Sequence, residues 1–196
     1  MKKNKPKYNQ IIDAAVEIIA ENGYHSSQVS KIAKKAGVAD GTIYLYFKNK
    51  EDILVSLFQQ KMGSFIEKIE AETTQKQTAD EKLLALIKTH FQQLTANHHL
   101  AIVTQLELRQ SKPDLRLKIN EVLKRYLVVI DQILNEGIKD KSFRGDINIR
   151  LVRQMIFGTL DEAVTNWVMK DQHYDLVDQA EEVHDLIVRG LTNRNN

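Results

Sequence analysis

Apolar residues recur at helical spacing along nearly all of this 196-residue chain, and very little interrupts them. The sequence contains two prolines and eight glycines, so long segments run without a residue that breaks helices. We find no convincing alternation of apolar and polar residues of the kind that marks a β-strand. The pattern therefore predicts an all-α fold of about nine helices.

Composition argues against several classes of site. The chain has no cysteine, so it can form neither disulfides nor thiolate metal sites. No stretch approaches the roughly 20 uninterrupted apolar residues of a membrane span, and no apolar signal core follows the lysine-rich N-terminus. We find no catalytic triad pattern, metal-ligand motif or phosphate-binding glycine loop, so we expect no catalytic residue, no metal and no cofactor. These features favour a cytoplasmic protein that is not an enzyme.

Charge is unevenly distributed along the chain. Residues 1–50 contain nine Lys and four Asp or Glu, a net charge of +5. Because the whole chain carries +2, the remaining residues carry −3. A basic N-terminal region followed by a mildly acidic remainder is typical of proteins that bind nucleic acid through the N-terminal part. Residues 1–7 alone hold four lysines, which predicts either an arm that contacts phosphates or a solvated tail.

The segment 37–51, GVADGTIYLYFKNKE, has the pattern of a helix-turn-helix. Gly37 can adopt the left-handed conformation that ends a helix, and Asp40 can cap the next one. Ile43 and Phe47 are four residues apart, so both can face inward. A small helix anchored in this way, with hydroxyl and aromatic side chains outward, suits the major groove of DNA. The side chains expected to face outward are Thr42, Leu45 and Tyr46.

Lys50 lies where a longer helix is predicted to begin. Asn49 can cap this helix, and Asp52 can complete a capping-box-like pair. A lysine in the first turn opposes the helix dipole by about 0.3–1 kcal/mol, whereas a phosphate there would be held by the amides and neutralised by the lysine. Lys50 is therefore either a solvated surface lysine or a contact to a DNA phosphate, and the adjacent helix-turn-helix pattern favours the phosphate.

The other helices are predicted from apolar spacing and capping residues. Ser26 or Ser27 is expected to cap the second helix of the chain, the one that Gly37 ends, and Thr78 is expected to cap the helix that begins at residue 79. Asn97-His98-His99 is predicted to be a polar loop, because adjacent residues on a helix do not converge on a metal ion. Beside the two short helices, the predicted helices cover 8–22, 50–76, 79–97, 100–111, 114–140, 148–170 and 174–192.

A dense, ordered set of residues occupies the first quarter of the chain: Ile11, Ala15, Gly23, Tyr24, Ser27, Val29, Ile32, Ala33, Ala36, Gly37, Val38, Gly41, Thr42, Ile43, Tyr44, Tyr46, Phe47, Asn49, Lys50, Glu51 and Leu54. Through these residues the segment 8–54 resembles the DNA-binding domain of TetR-family bacterial repressors. The later stretches 105–110 and 155–159 are similar to the Bacillus-type branch of that family, which represses fatty-acid degradation genes and releases DNA on binding long-chain acyl-CoA.

This resemblance implies a division of the chain and a mode of DNA binding. Residues 1–48 would form an N-terminal three-helix bundle with the helix-turn-helix, and residues 49–196 a larger helical domain for ligand binding and dimerisation. A palindromic double-stranded operator requires a homodimer whose recognition helices lie about 34–36 Å apart. The residues expected at the DNA are Ser27, Gln28, Asp40, Gly41, Thr42, Tyr44, Tyr46 and Lys50.

A candidate effector site follows from charge and from the resemblance. The segment 109–125 holds six basic and two acidic residues, which is either a solvated helix face or a site for the phosphates of acyl-CoA. Arg109, Gln105 and Glu162 lie in otherwise apolar helices and, if buried, must be hydrogen-bonded or paired, for instance as a structural Arg–Glu pair. The resemblance implies that the apolar residues of this site surround the acyl tail, and the alternative is that they are ordinary core residues. The full predicted set is Phe65, Ile66, Phe91, Val103, Gln105, Leu106, Arg109, Lys112, Arg116, Met155, Phe157, Glu162 and Trp167.

The last two predicted helices are amphipathic and can bury a face within the chain or across a two-fold axis. The resemblance implies a four-helix bundle between two copies, with the interface residues Leu160, Val164, Val168, Val183, Leu186 and Ile187.

Three alternatives remain beside an acyl-CoA-responsive repressor. They are a TetR-like repressor that senses another lipophilic ligand, as drug-efflux regulators do, a helical enzyme, and an interaction protein with a vestigial DNA domain.

Overall fold

The computed structural model describes residues 6–192, and all regular secondary structure in that range is helical. The all-α prediction is therefore confirmed. Residues 1–5 of the predicted lysine-rich arm lie outside the described residues. No helix in this range is long and apolar enough to cross a membrane. The α-helices are α1 (Pro6–Asn22), α2 (Val29–Lys35), α3 (Asp40–Ile43), α4 (Lys50–Thr74), α5 (Ala79–Thr95), α6 (His98–Glu107), α7 (Pro113–Lys139), α8 (Ile149–Met169) and α9 (Ala180–Leu191), with a 3₁₀ turn at Val177–Gln179.

One compact unit contains the described residues up to Gly63 and the segment His98–Val122. Within it, α1 packs against α2 and α6, and α2 packs against α3. The short α2 and α3 can form because glycines at the preceding turns adopt conformations that other residues avoid: Gly23 has φ +72° and Gly37 has φ +65°. The fully buried side chains at the centre of this unit include Ile11, Ile12, Ala15, Ile32, Ile43, Leu54 and Leu57.

The other compact unit contains Ser64–Asn97 and the described residues from Leu123 onward. Within it, α5 packs against α8 and α9. Both α4 and α7 supply residues to each unit. The boundaries of these two packing units differ from the predicted functional division into 1–48 and 49–196, because α6 packs against α1 in the first unit. The functional division stays a prediction. The fully buried side chains of this unit include Leu83, Leu86, Ile87, Phe91, Ile130, Leu134, Leu160 and Val164.

Two predicted helix caps are confirmed. Thr78 caps α5 with a full capping box, in which its side chain and that of Glu81 each accept a backbone N–H. Asn49 accepts the Asp52 N–H at 2.9 Å at the start of α4. The Asp52 carboxylate in turn accepts the Lys48 N–H at 2.9 Å. Because α4 begins at Lys50, this lysine lies in the first turn as predicted.

Three local predictions are corrected. Asp40 is the first residue of α3, whose N-cap is Ala39, so its carboxylate makes no capping bond. The N-cap of α2 is Gln28, because the buried Ser27 hydroxyl instead donates to the carbonyl oxygens of Ile18 and Gly23. His98 begins α6, since the two residues 96–97 are enough for the turn after α5.

Candidate functional site

The segment that follows α2 presents aromatic side chains to solvent. Ile43 and Phe47 are buried as predicted, and the Phe47 ring stacks on Tyr8 with 5.0 Å between ring centroids. This anchor leaves Tyr44 59% exposed, while Thr42 and Tyr46 are half-buried. Tyr44 is therefore the predicted DNA contact with the most accessible ring. Gln28, Asp40 and Gly41 are also exposed, whereas Ser27 is buried and directs its hydroxyl into its own domain.

Lys50 joins the start of α4 to the turn between α1 and α2. Its ammonium donates to the carbonyl oxygens of Tyr24 at 3.0 Å and His25 at 2.9 Å. It also lies 4.6 Å from the centroid of the Tyr24 ring. Because an ammonium has three N–H groups, one N–H remains for a phosphate. The structure thus adds a structural role for Lys50, and its contact with DNA stays a prediction.

Sequence reasoning missed the role of Glu107, the last residue of α6. Its buried carboxylate accepts the Tyr24 N–H at 2.8 Å, across 83 residues of sequence, and the second oxygen accepts from Gln110. Burial, Glu51 and Glu107 together raise the pKa of Tyr24 to about 12. Glu107 therefore accepts a hydrogen bond from the Tyr24 N–H, and Lys50 donates one to the Tyr24 carbonyl oxygen. The only sequence signal was an acidic residue within an apolar helix.

The basic run 109–125 has partners within the chain. Lys112 pairs with Glu51 at 2.6 Å, and Arg116 donates to the Gln110 carbonyl oxygen at 3.2 Å. Arg125 donates to the Glu70 carboxylate. These side chains are exposed, so the pairs contribute little to stability and can be exchanged for a phosphate. The predicted phosphate role of Lys112 and Arg116 remains a prediction.

The structure divides the other predicted effector residues into buried and exposed groups. Phe65, Ile66, Phe91, Val103, Gln105 and Trp167 are buried, and Phe157 is half-buried. Leu106, Arg109, Met155 and Glu162 are exposed, so the requirement that a buried Arg109 or Glu162 be paired does not apply. Met155 lies in the groove described below, because its position on α8 turns it away from the core.

A buried polar pair lies among the predicted tail-lining aromatics. His90 Nδ1 lies 2.9 Å from the Tyr126 hydroxyl, and both residues are buried. Burial lowers the pKa of His90 to about 3 and raises the pKa of Tyr126, with a smaller contribution from Asp161. The imidazole is therefore neutral at physiological pH. Sequence reasoning missed this pair, although His90 lies three residues after Ile87 and four after Leu86, on the apolar face of α5.

The buried histidine predicts a dependence of stability on pH. The unfolded chain protonates His90 near pH 6.5, whereas the folded chain does so only near pH 3, so stability is lost as pH falls between these values. From pH 7 to pH 5 the expected loss through His90 is about 2 kcal/mol. Urea midpoints at fixed protein concentration should show this decline, and His90→Phe should flatten it. His25→Phe, at an exposed position, is the control; an equal flattening there would contradict the assignment.

The predicted dimer residues are corrected in part. Leu160 and Val164 are completely buried within the single chain, so they offer no surface to a second copy. Their burial follows from the packing of α5 against α8. An apolar groove instead runs along the outer faces of α8 and α9. It is lined by Leu151, Met155, Thr159, Val183, Leu186 and Ile187, among others, and three of these are largely exposed: Leu151 53%, Met155 62% and Leu186 64%.

Comparison with known proteins identifies the family. Residues 11–57 match the family described as bacterial regulatory proteins, tetR family, and residues 58–190 match the YsiA-like protein, C-terminal region. The chain is 63% identical to the fatty acid metabolism regulator protein of Bacillus subtilis over 194 residues, covering 99% of this chain and 100% of that protein.

Two solved structures give the same result. One is FadR from Bacillus subtilis in complex with stearoyl-CoA, with a TM-score of 0.91 at 64% identity. The other is the fatty acid degradation regulator FadR from Bacillus halodurans, with a TM-score of 0.90 at 62% identity. Each alignment covers 94% of this chain and 99% of the solved chain. With its helix-turn-helix, its larger helical region and these relatives along its whole length, the chain belongs to the TetR family of bacterial transcriptional regulators.

Proposed function

We propose that this protein is a homodimeric repressor of fatty-acid degradation genes that releases a palindromic operator when it binds long-chain acyl-CoA. The observation that carries the proposal is the 64% identity, at a TM-score of 0.91, to a regulator solved with stearoyl-CoA bound. Identity at this level along the whole chain extends through the effector-binding region, which varies far more within the family than the DNA-binding domain. A repressor acts where the chromosome lies, in the cytoplasm, and this role requires no catalysis.

On the DNA side, Tyr44 is the proposed principal contact, with Thr42 and Tyr46 beside it. The exposure of the Tyr44 ring, on a segment anchored by Ile43 and Phe47, supports this assignment. Gln28 and Lys50 are proposed to contact phosphates, which fix the register on the duplex without reading its sequence. Two such domains must lie about one DNA turn apart, roughly 34–36 Å, so the dimer is part of the recognition device.

On the effector side, the acyl tail is proposed to pack among buried apolar side chains and the CoA phosphates to meet basic residues of the run 109–125. Lys112 would exchange the Glu51 carboxylate, and Arg116 the Gln110 carbonyl oxygen, for phosphate oxygens. For Arg116 the exchange is favourable, because a guanidinium bonds more strongly to a charged acceptor than to a neutral one. Release of DNA requires that acyl-CoA prefer the form that cannot bind DNA, by about 5.5 kcal/mol for near-complete release. The residues proposed for the tail are Phe65, Ile66, Phe91, Phe157 and Trp167.

The experiment that tests this function is release of a bound operator. A DNA site selected by the protein from a random pool is labelled, and binding is followed by fluorescence anisotropy. Stearoyl-CoA is expected to dissociate the complex, while CoA alone and free stearate leave it intact. Since acyl-CoA is a detergent, an unrelated DNA-binding protein serves as control. Release by stearate alone, or no release by stearoyl-CoA, would reject acyl-CoA as the effector.

The phosphate role of Lys50 is separable from its structural role. If its ammonium neutralises a phosphate, Lys50→Ala should weaken binding to all DNA sequences alike and reduce the slope of log affinity against log salt by about 1. Lys139→Ala removes an exposed lysine from the last turn of α7 and should leave the slope unchanged. A weaker Lys50→Ala complex with an unchanged salt slope would mean that Lys50 only supports the turn at Tyr24.

A further inference from the structure

The imidazole of His90 has one nitrogen that the fold leaves without a partner. Its Nε2 atom is buried and makes no hydrogen bond to any residue of the range 6–192, while Nδ1 pairs with the Tyr126 hydroxyl at 2.9 Å. The ring is surrounded by aromatic edges and faces, with 5.2 Å between the centroids of His90 and Phe65 and 5.9 Å between those of His90 and Phe91. A buried polar atom without a partner is disfavoured, so its persistence here points to a group that completes it.

The hydrogen bond with Tyr126 decides which kind of group this must be. Among the described residues, the one partner of the Tyr126 hydroxyl is His90 Nδ1. A buried hydroxyl with a single partner directs its hydrogen at that partner, since the hydrogen would otherwise be unsatisfied. Nδ1 is then the acceptor of the neutral imidazole, and Nε2 carries the proton. The unpartnered atom is therefore a donor, and it requires an acceptor oxygen.

Long-chain acyl-CoA carries one such acceptor close to its tail. The methylene chain has no polar atom, and the phosphates and amides of CoA are separated from the chain by the sulfur. The thioester carbonyl oxygen is joined directly to the chain and enters the protein with it. The aromatics around the pair are residues already proposed for the tail: Phe65 and Phe91 contact His90, and Phe157 lies 6.0 Å from Tyr126 between ring centroids.

We propose that His90 Nε2–H donates a hydrogen bond to the thioester carbonyl oxygen of the bound acyl-CoA, with Tyr126 as the positioning residue that fixes the tautomer. This inference rests on the proposed function, since it names a contact within the same effector site. It assigns a specificity: the protein distinguishes a thioester from an otherwise identical chain that lacks the carbonyl.

The test compares stearoyl-CoA with S-octadecyl-CoA, a thioether of the same chain length without the carbonyl. Calorimetry on the full-length dimer should show that the wild type binds the thioester about tenfold more tightly, and that His90→Phe binds both equally. A tenfold preference that survives in His90→Phe, or a wild type without preference, overturns the inference. A folded wild type that binds neither compound rejects the proposed function itself, which distinguishes the two failures.

A second measurement observes the thioester carbonyl directly, and its first readout uses the wild type alone. Stearoyl-CoA labelled with ¹³C at the thioester carbonyl gives an isotope-edited infrared band for that group alone. In the wild-type complex this band is expected at lower frequency than in an aprotic solvent, because a hydrogen bond weakens the carbonyl bond. A band at the aprotic frequency would overturn the inference, and so would a lowered band that is unchanged in a folded His90→Phe complex, since another donor would then be responsible.

Discussion

Replacing Leu186 with Glu is expected to convert the dimer into monomers and to lower operator affinity by at least about 100-fold, or 2.7 kcal/mol. Leu186 lies on α9 in the apolar groove beside Met155 and Leu151, and it is 64% exposed in the single chain. In an interface related by a two-fold axis each substitution occurs twice, so two carboxylates would be buried without partners. Unpaired buried charges cost several kcal/mol each, which exceeds what the remaining apolar contacts can offset.

Sedimentation velocity and operator anisotropy on the same samples test this prediction. Val128→Glu is the matched control, because Val128 is also an exposed apolar residue on a helix but does not line the groove. We expect Val128→Glu to remain dimeric and to bind the operator normally. A dimeric Leu186→Glu would mean that the groove is not the interface, and dissociation of both variants would mean that the groove is not distinguished from the rest of the surface.

Replacing Gly137 with Ala is expected to destabilise the second compact unit by about 1–3 kcal/mol. A Cβ added at Gly137 would overlap Cδ2 of Phe143 and lie 2.6 Å from Cε2, well inside van der Waals contact. Phe143 cannot easily move away, because its ring is buried and its N–H donates to the Gly137 carbonyl oxygen at 2.8 Å. The expected loss of stability is opposite to the usual effect of this substitution, because alanine normally stabilises a helix relative to glycine by up to about 1 kcal/mol.

Gly63→Ala in α4 is the matched control, because its added Cβ would meet nothing within 4 Å apart from its chain neighbours and the backbone of its own helix. That variant should gain up to about 1 kcal/mol from helix propensity alone. Urea midpoints of the two variants should therefore move in opposite directions. The double variant Gly137→Ala with Phe143→Leu should lose less than the two single losses combined, because the smaller side chain removes the clash. A stabilised Gly137→Ala would contradict the contact with Phe143.

Sequence reasoning succeeded where the information is local. The helical period, the left-handed Gly37 and the caps at Thr78 and Asn49 each depend on residues a few positions apart, and all four predictions are confirmed. The inward direction of Ile43 and Phe47 follows from the same spacing rule. Ser27 shows the limit, because a serine before a helix can cap it or bond backwards, and here it donates to α1.

The sequence by itself determined the all-α class, the helix-turn-helix and the family, since these depend on periodicity, capping and an ordered local motif. Only the tertiary structure decided which apolar face of α8 is interior, because a stripe such as Leu160 and Val164 does not reveal whether its partner lies in the same chain. Only the tertiary structure paired Glu107 with Tyr24 and His90 with Tyr126, across 83 and 36 residues. Such contacts are set by how distant helices pack, and no spacing along the chain encodes them.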